Sequence, residues 1–232
     1  MAIIPLPVGP TCFSEKWRPE NSFRSGGAGA TGSEQLVGSP TGRWRAQMQF
    51  HCTEPDHYTE VDGFLAALDG SANTMLIGPV DWRGRPWKID PLTGGLITPD
   101  KAAFDNTVSP AFGTNADTRG DLLFTLNAAV PVNATTLAIK RTRGGLLRRG
   151  QHLSLGNRLH IITALTSADD GAVDTVVNVT IRPWTRLAYA SGTVCEFAAP
   201  LGEMRLAPEA VAALERNTTP LSDLALDLIE AF

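Results

Sequence analysis

Between Gly42 and Pro79 the spacing of apolar residues switches from every second position to every third or fourth and back, a sequence that few folds can satisfy. Trp44, Ala46, Met48 and Phe50 alternate with Arg43, Arg45, Gln47 and Gln49, the period-two signature of a strand with one dry and one wet face. Thr53-Glu54-Pro55-Asp56 then offers an N-cap oxygen, a proline for the first turn and two carboxylates for the positive end of a helix dipole. Tyr58, Val61, Phe64, Leu65 and Leu68 follow at helical spacing, and Asp69-Gly70 supplies a left-handed stop. A second strand is predicted over Ala72–Ile77, ended by Gly78-Pro79. Strand, helix, strand is therefore the expected core unit, with Val61, Leu65 and Leu68 of the helix packed on a sheet.

The rest of the chain reads as mainly β. Its 232 residues carry 22 Gly and 16 Pro between short apolar runs, which favours sheets and turns over a helical bundle. Residues 1 to about 40 lack regular periodicity, and Ser25–Ser33 reads as a mobile loop behind a Pro-rich arm. Residues 88–120 read as a long connection with a boundary near Pro110. Beyond it, Leu122–Leu126, Thr135–Lys140, His152–Leu155, Arg158–Thr163, Val173–Ile181 and Thr193–Phe197 are short strands at even spacing, the pattern of a small barrel or sandwich. Glu203–Leu206 is extended, Pro208–Leu214 predicts a turn or two of helix, and Leu224–Glu230 predicts a strand returning to the first sheet. The expected architecture is thus a β-sandwich or barrel core with one packed α-helix, residues 1–110 completed by 201–232, and a small β-barrel-like domain inserted over 111–200.

Charge and motifs narrow the function classes. A net charge of -4 and pI near 5.6 argue against a generally basic nucleic-acid binder. The start of the chain has no basic, long apolar leader, and no stretch is long enough to span a membrane. Cys12, Cys52 and Cys195 are too few and too scattered for a disulfide framework, so folding in a reducing cytosol is expected. Gly27, Gly29 and Gly32 spell a dinucleotide-type glycine pattern, but no β-branched strand precedes them and no acidic residue follows at ribose distance. His51 and Cys52, the soft ligands nearest His57, point to opposite faces of a strand and so cannot both reach one metal without a bulge. His152 and His160 flank a Gly156-Asn157 turn and read as half-exposed strand residues; Asp169-Asp170-Gly171 reads as a turn. With no nucleophile elbow, phosphate loop or acid pair, the expectation is a non-enzyme without cofactor or metal.

Two loops remain as candidate interaction sites. Trp82, Arg83, Arg85 and Trp87 place two indoles and two guanidiniums around a Gly and a Pro, either stacking on a ligand or covering a sheet edge. Arg141, Arg143, Arg148 and Arg149 form a basic cluster in an acidic chain. Without interleaved aromatics, a solvated loop or an acidic protein neighbour fits it better than phosphate.

Two blocks together resemble the distal tail protein group of long-tailed bacteriophages and related virion structural proteins. The first runs from Ser39-Pro40-Thr41-Gly42-Arg43-Trp44 through the helix to Phe64-Leu65-Ala66-Ala67-Leu68-Asp69-Gly70 and Thr74–Gly78. The second is Leu147-Arg148-Arg149-Gly150-Gln151-His152-Leu153-Ser154-Leu155-Gly156-Asn157-Arg158-Leu159-His160, then Ile181-Arg182-Pro183-Trp184, Gly192-Thr193-Val194 and Met204-Arg205-Leu206. Gly150-Gln151 departs from that group's usual Gly-Asp. The resemblance implies a structural protein of the virion tail tip, assembled in the host cytoplasm. It implies a homo-oligomeric ring, a hexamer, joining the tail tube protein to the hub and tip proteins, with no nucleic acid, membrane or catalytic residue involved. The alternative is a carbohydrate-binding module of the tail tip, reading a host receptor through the Trp82–Trp87 loop.

Overall fold

The computed structural model describes residues 1–7, 9–20, 23–28, 34–38, 42–81, 84–89, 96–97, 122–172, 174–208, 213–215 and 222–232, with backbone alone for 23–28, 34–38, 88–89, 96–97, 213–215 and 222. Contacts divide the chain into one unit of Met1–Val80 with Leu201–Phe232 and a second of Asp81–Pro200; Pro110 lies outside the described residues. In the first unit the elements are β1 (Thr11–Glu20), β2 (Phe23–Ala28), β3 (Glu34–Gly38), β4 (Arg43–Cys52), α1 (Pro55–Leu68) and β5 (Met75–Ile77). The second unit holds β6 (Lys88–Ile89), β7 (Leu96–Ile97), β8 (Leu123–Leu126), β9 (Thr136–Arg143), β10 (His152–Leu155), β11 (Arg158–Leu165), β12 (Val176–Arg182) and β13 (Val194–Glu196). The chain then returns with β14 (Gly202–Leu206), β15 (Ala213–Glu215) and β16 (Ser222–Glu230). The fold is mainly β with one packed helix, as the patterning of the sequence predicts.

The first unit is an antiparallel sheet in the order β1-β4-β16-β14-β5, with β15 also paired to β16. Parity explains its two faces. Trp44, Ala46, Met48, Phe50 and Cys52 of β4 are buried, and Leu224, Leu226 and Leu228 of β16 lie opposite Phe50, Met48 and Ala46 on the same face. Met75, Ile77, Met204 and Leu206 extend that dry face across β5 and β14. Val61, Phe64 and Leu68 are the buried residues of α1, each contributing roughly 1.5–3 kcal/mol if fully withdrawn from water. The helix stops where Asp69 turns left-handed, φ 47°, followed by Gly70 at φ 63°.

Four expectations for this unit need correction. Thr11–Glu20, Phe23–Ala28 and Glu34–Gly38 are not irregular: β1 pairs with β4 from Thr11↔His51 to Glu20↔Arg43, and β2 pairs with β3, while most of the loop expected over Ser25–Ser33 lies outside the described residues. The alternation in β1 was obscured by Phe13, the extra residue of a bulge between Cys12 and Ser14. At the start of α1 the N-cap is Glu54, extended and without a side-chain cap hydrogen bond, so Thr53 does not cap. Leu65 is only half-buried, because the buried stripe runs through Phe64 instead. Of the helix expected over Pro208–Leu214, residues 209–212 lie outside the described residues, while Ala213 and Leu214 begin β15.

The second unit contains a closed antiparallel barrel, β10-β11-β12-β9-β8-β13 and back to β10. Phe124, Leu126, Leu137, Ile139, Leu153, Leu155, Ile162, Val177, Val179, Ile181, Cys195 and Phe197 fill it, the alternate positions of each strand, as closure of a small barrel requires. The β10–β11 hairpin turns on Gly156 at φ 58° and Asn157, glycine supplying the positive φ that a tight two-residue turn needs.

Candidate functional site

Strand parity decides what the basic cluster can do. Leu137, Ile139 and Arg141 lie on the same buried face of β9, so Arg141 is drawn inward and is 1% exposed. A buried guanidinium needs a counter-charge. Asp169, on the loop between β11 and β12, supplies it through a close contact to Arg141 Nη2, while Arg141 Nη1 donates to the Ala172 carbonyl at 3.2 Å. The same carboxylate accepts the Leu147 amide at 2.7 Å and the Gly171 amide at 3.1 Å. One buried ion pair thus ties the end of β9, the β9–β10 loop and the β11–β12 loop together. Lys140 adds a more exposed pair to Asp174 at 2.9 Å, and Asp170 accepts from Ala172 N and Thr175 Oγ1, which hold its carboxyl below its ordinary range, the threonine bond being the larger cause.

Arg141 is therefore not part of an interaction surface, contrary to the sequence expectation, and Arg143 is half-buried. Arg148 and Arg149 are exposed, and no carboxylate among the described residues pairs with either. Their loop is held by its own neighbours. Leu147 is sunk in the barrel core, the Arg148 amide donates to Gln151 Oε1 at 2.8 Å, and the Gly150 amide donates to the Ile162 carbonyl at 2.8 Å. At the base of the loop Gly144 sits at φ 129°, where an added Cβ would lie 2.6 Å from the Phe124 ring, so only glycine fits.

The second candidate loop is described in part. Trp82 and Arg83 lie outside the described residues, and Arg85 is half-buried. Trp87 is 6% exposed, so its indole is a covered side chain and not an open stacking platform. Nearby, the Pro86 carbonyl accepts the Gly145 amide at 2.7 Å.

The histidines separate into two environments. His51 meets Asp223 across the β4–β16 ladder at 2.5 Å and stacks on Phe13 with ring centroids 3.7 Å apart. Cys52 points to the dry face, and among the described residues no group of three His, Cys, Asp or Glu side chains could hold a metal. His160 is not half-exposed as its hairpin position suggests: it is 1% exposed and sits opposite Leu153, while His152 faces Ile161. Its Nδ1 lies 2.9 Å from the Pro183 carbonyl and so carries the proton, which leaves Nε2 buried with no hydrogen-bond partner. Burial pushes this imidazole down to about 4, with Arg186 and Arg158 acting in the same direction and Pro183 O against it. Burial likewise pushes the Cys195 thiol up to about 12, which leaves it inert as a nucleophile at neutral pH.

One feature had no sequence signal. On the wet face of the first unit, Ala225 lies between longer side chains and opens a hollow of about 300 Å³ lined by Ser14, Lys16, Gln47, Gln49 and Asp227. Asp227 is engaged there by Arg45 at 2.9 Å. Comparison of the chain with known protein families and with curated proteins finds no match.

Proposed function

We propose that this chain is a structural, ring-forming component of a bacteriophage tail, of the distal tail protein type, placed between the tail tube and the tip complex. The observation that carries the reading is how its two family-like blocks fall on the fold. The first block is the whole of β4, α1 and β5; the second is the β10–β11 hairpin with the segments that complete the barrel and begin the return through β14. The first block is thus a contiguous piece of packing, and the second touches four of the six barrel strands, β10 to β13, and one strand of the core unit, β14. The role rests on analogy of fold and motif, not on a reactive site. A glycan-reading role draws less support, since of the two indoles it relies on, Trp87 is covered. In a phage encoding this chain, an early stop codon in its gene is expected to give particles whose tails lack a tip and do not infect, seen by electron microscopy and plaque counts. Complete, infectious tails without the protein would overturn the proposal.

A further inference from the structure

Charge is segregated between the two units. Of 20 Lys and Arg and 24 Asp and Glu, the Asp81–Pro200 unit holds 13 and 10, and the remainder of the chain holds 7 and 14. The inserted unit is therefore net positive and the core unit strongly negative. Within the inserted unit the cations differ in availability: Arg141 is neutralised internally by Asp169 and Lys140 by Asp174. Arg148 and Arg149 stand exposed beside Leu146, an apolar side chain 40% exposed on the same loop. That loop is anchored at both flanks, by Leu147 in the core and by Asp169 and Gln151 on its amides. A pre-organised loop loses little conformational freedom on docking, and an exposed leucine beside two guanidiniums that no described carboxylate pairs is a surface suited to an acidic protein face with an apolar centre.

We propose that the Leu146–Arg149 loop of one copy docks on the acidic core unit of a second copy, head to tail. This rests on the ring-forming reading above and assigns the contact that would build the ring. Opposite charges on different units of the same chain favour a heterologous contact over a loop-to-loop one, since the latter would bring four guanidiniums together. Such a contact leaves one copy's loop and the other copy's core unit unengaged, so it propagates and closes when the rotation permits.

The test is sedimentation of the full chain at its highest soluble concentration, between about 0.01 and about 1 M salt, over which the screening length shrinks from ~30 to ~3 Å. Wild-type protein is expected to self-associate at low salt and dissociate at high salt. The double variant Arg148→Glu, Arg149→Glu should weaken self-association by about tenfold or more with an unchanged melting temperature, and Arg148→Gln, Arg149→Gln should weaken it less. Mixed with wild type, the Glu variant still offers an intact core unit, so it should join one wild-type copy and cap further growth. Wild type that stays monomeric at low salt, a Glu variant that associates as wild type does, or one that fails to join wild type would each overturn the contact. So would tight, salt-sensitive binding of a duplex DNA probe that the Gln variant loses, which would mark the loop as a phosphate site. None of these outcomes touches the tail assignment, which the stop-codon particles decide.

Discussion

Arg141 and Asp169 show how a side chain that looks like surface in the sequence becomes structure. Removing one partner of a buried pair strands the other charge, which typically costs about 3–5 kcal/mol, whereas replacing both with apolar groups of similar volume is often neutral or better. Asp169→Asn should therefore lower the melting temperature of the barrel unit sharply, and Arg141→Met combined with Asp169→Leu should recover much of the loss. Equal melting temperatures for wild type and Asp169→Asn would show that the pair does not fix the loops. His160 makes a second prediction at this scale. Its folded pKa near 4 lies below the ordinary value of 6.5, so between those pH values the unfolded chain binds a proton that the folded chain refuses. Stability is then fully present above about pH 6.5 and is lost as pH falls toward 4. Denaturant midpoints measured across that window should fall for wild type and fall less for His160→Gln; parallel slopes would mean that another group titrates.

At the scale of elements, the sequence was most legible where one period ran uninterrupted. The strand over β4, the helix from Pro55 to Leu68 and its left-handed stop follow from spacing, a first-turn proline and Asp69-Gly70. The barrel strands also follow, because each is an alternating run bounded by turn residues. Legibility failed where a local feature broke the period. In β1 a one-residue bulge at Phe13 shifts every later side chain by one place, and Pro19 and Glu20 do not look like strand residues, yet both sit in the ladder opposite Trp44 and Arg43. A proline is tolerated there because β1 is an edge strand. In α1 the exact buried stripe depends on which side of the helix meets the sheet, so Phe64 and Leu65 could not be ranked from spacing alone. For the candidate loops, the parity of Leu137, Ile139 and Arg141 was visible in the sequence and pointed inward; grouping the arginines by proximity along the chain hid it. The partner, Asp169, lies 28 residues away, and nothing local announces such a pairing.

For the molecule as a whole, the most consequential strand is β16, which reaches the core sheet from beyond the inserted barrel. β16 lies between β4 on one side and β14 and β15 on the other, pairing with β4 over Ser222–Ile229. Its Leu224, Leu226 and Leu228 line the dry face, and Glu230 Oε2 accepts the Trp44 amide at 3.1 Å. The core unit therefore cannot close its sheet until residues on both sides of the inserted barrel have been made, whereas the barrel draws all six of its strands from one continuous stretch. Contacts within that stretch are local enough to form first, and closing the long loop between β4 and β16 is easier once the intervening chain is compact. A chain ending at Pro220 removes β16 and leaves the barrel sequence untouched. It should keep slow amide exchange across β8 to β13 while the amides of β4 and β14 exchange as in an unfolded segment, measured by hydrogen-deuterium exchange against the full chain. Supplying residues 221–232 as a peptide should restore protection to β4 and β14 if the vacant place accepts the strand in trans. Protection of β4 that persists in the truncated chain without the peptide would mean that the core unit does not depend on β16, and the order of assembly inferred from the strand pairing would be wrong.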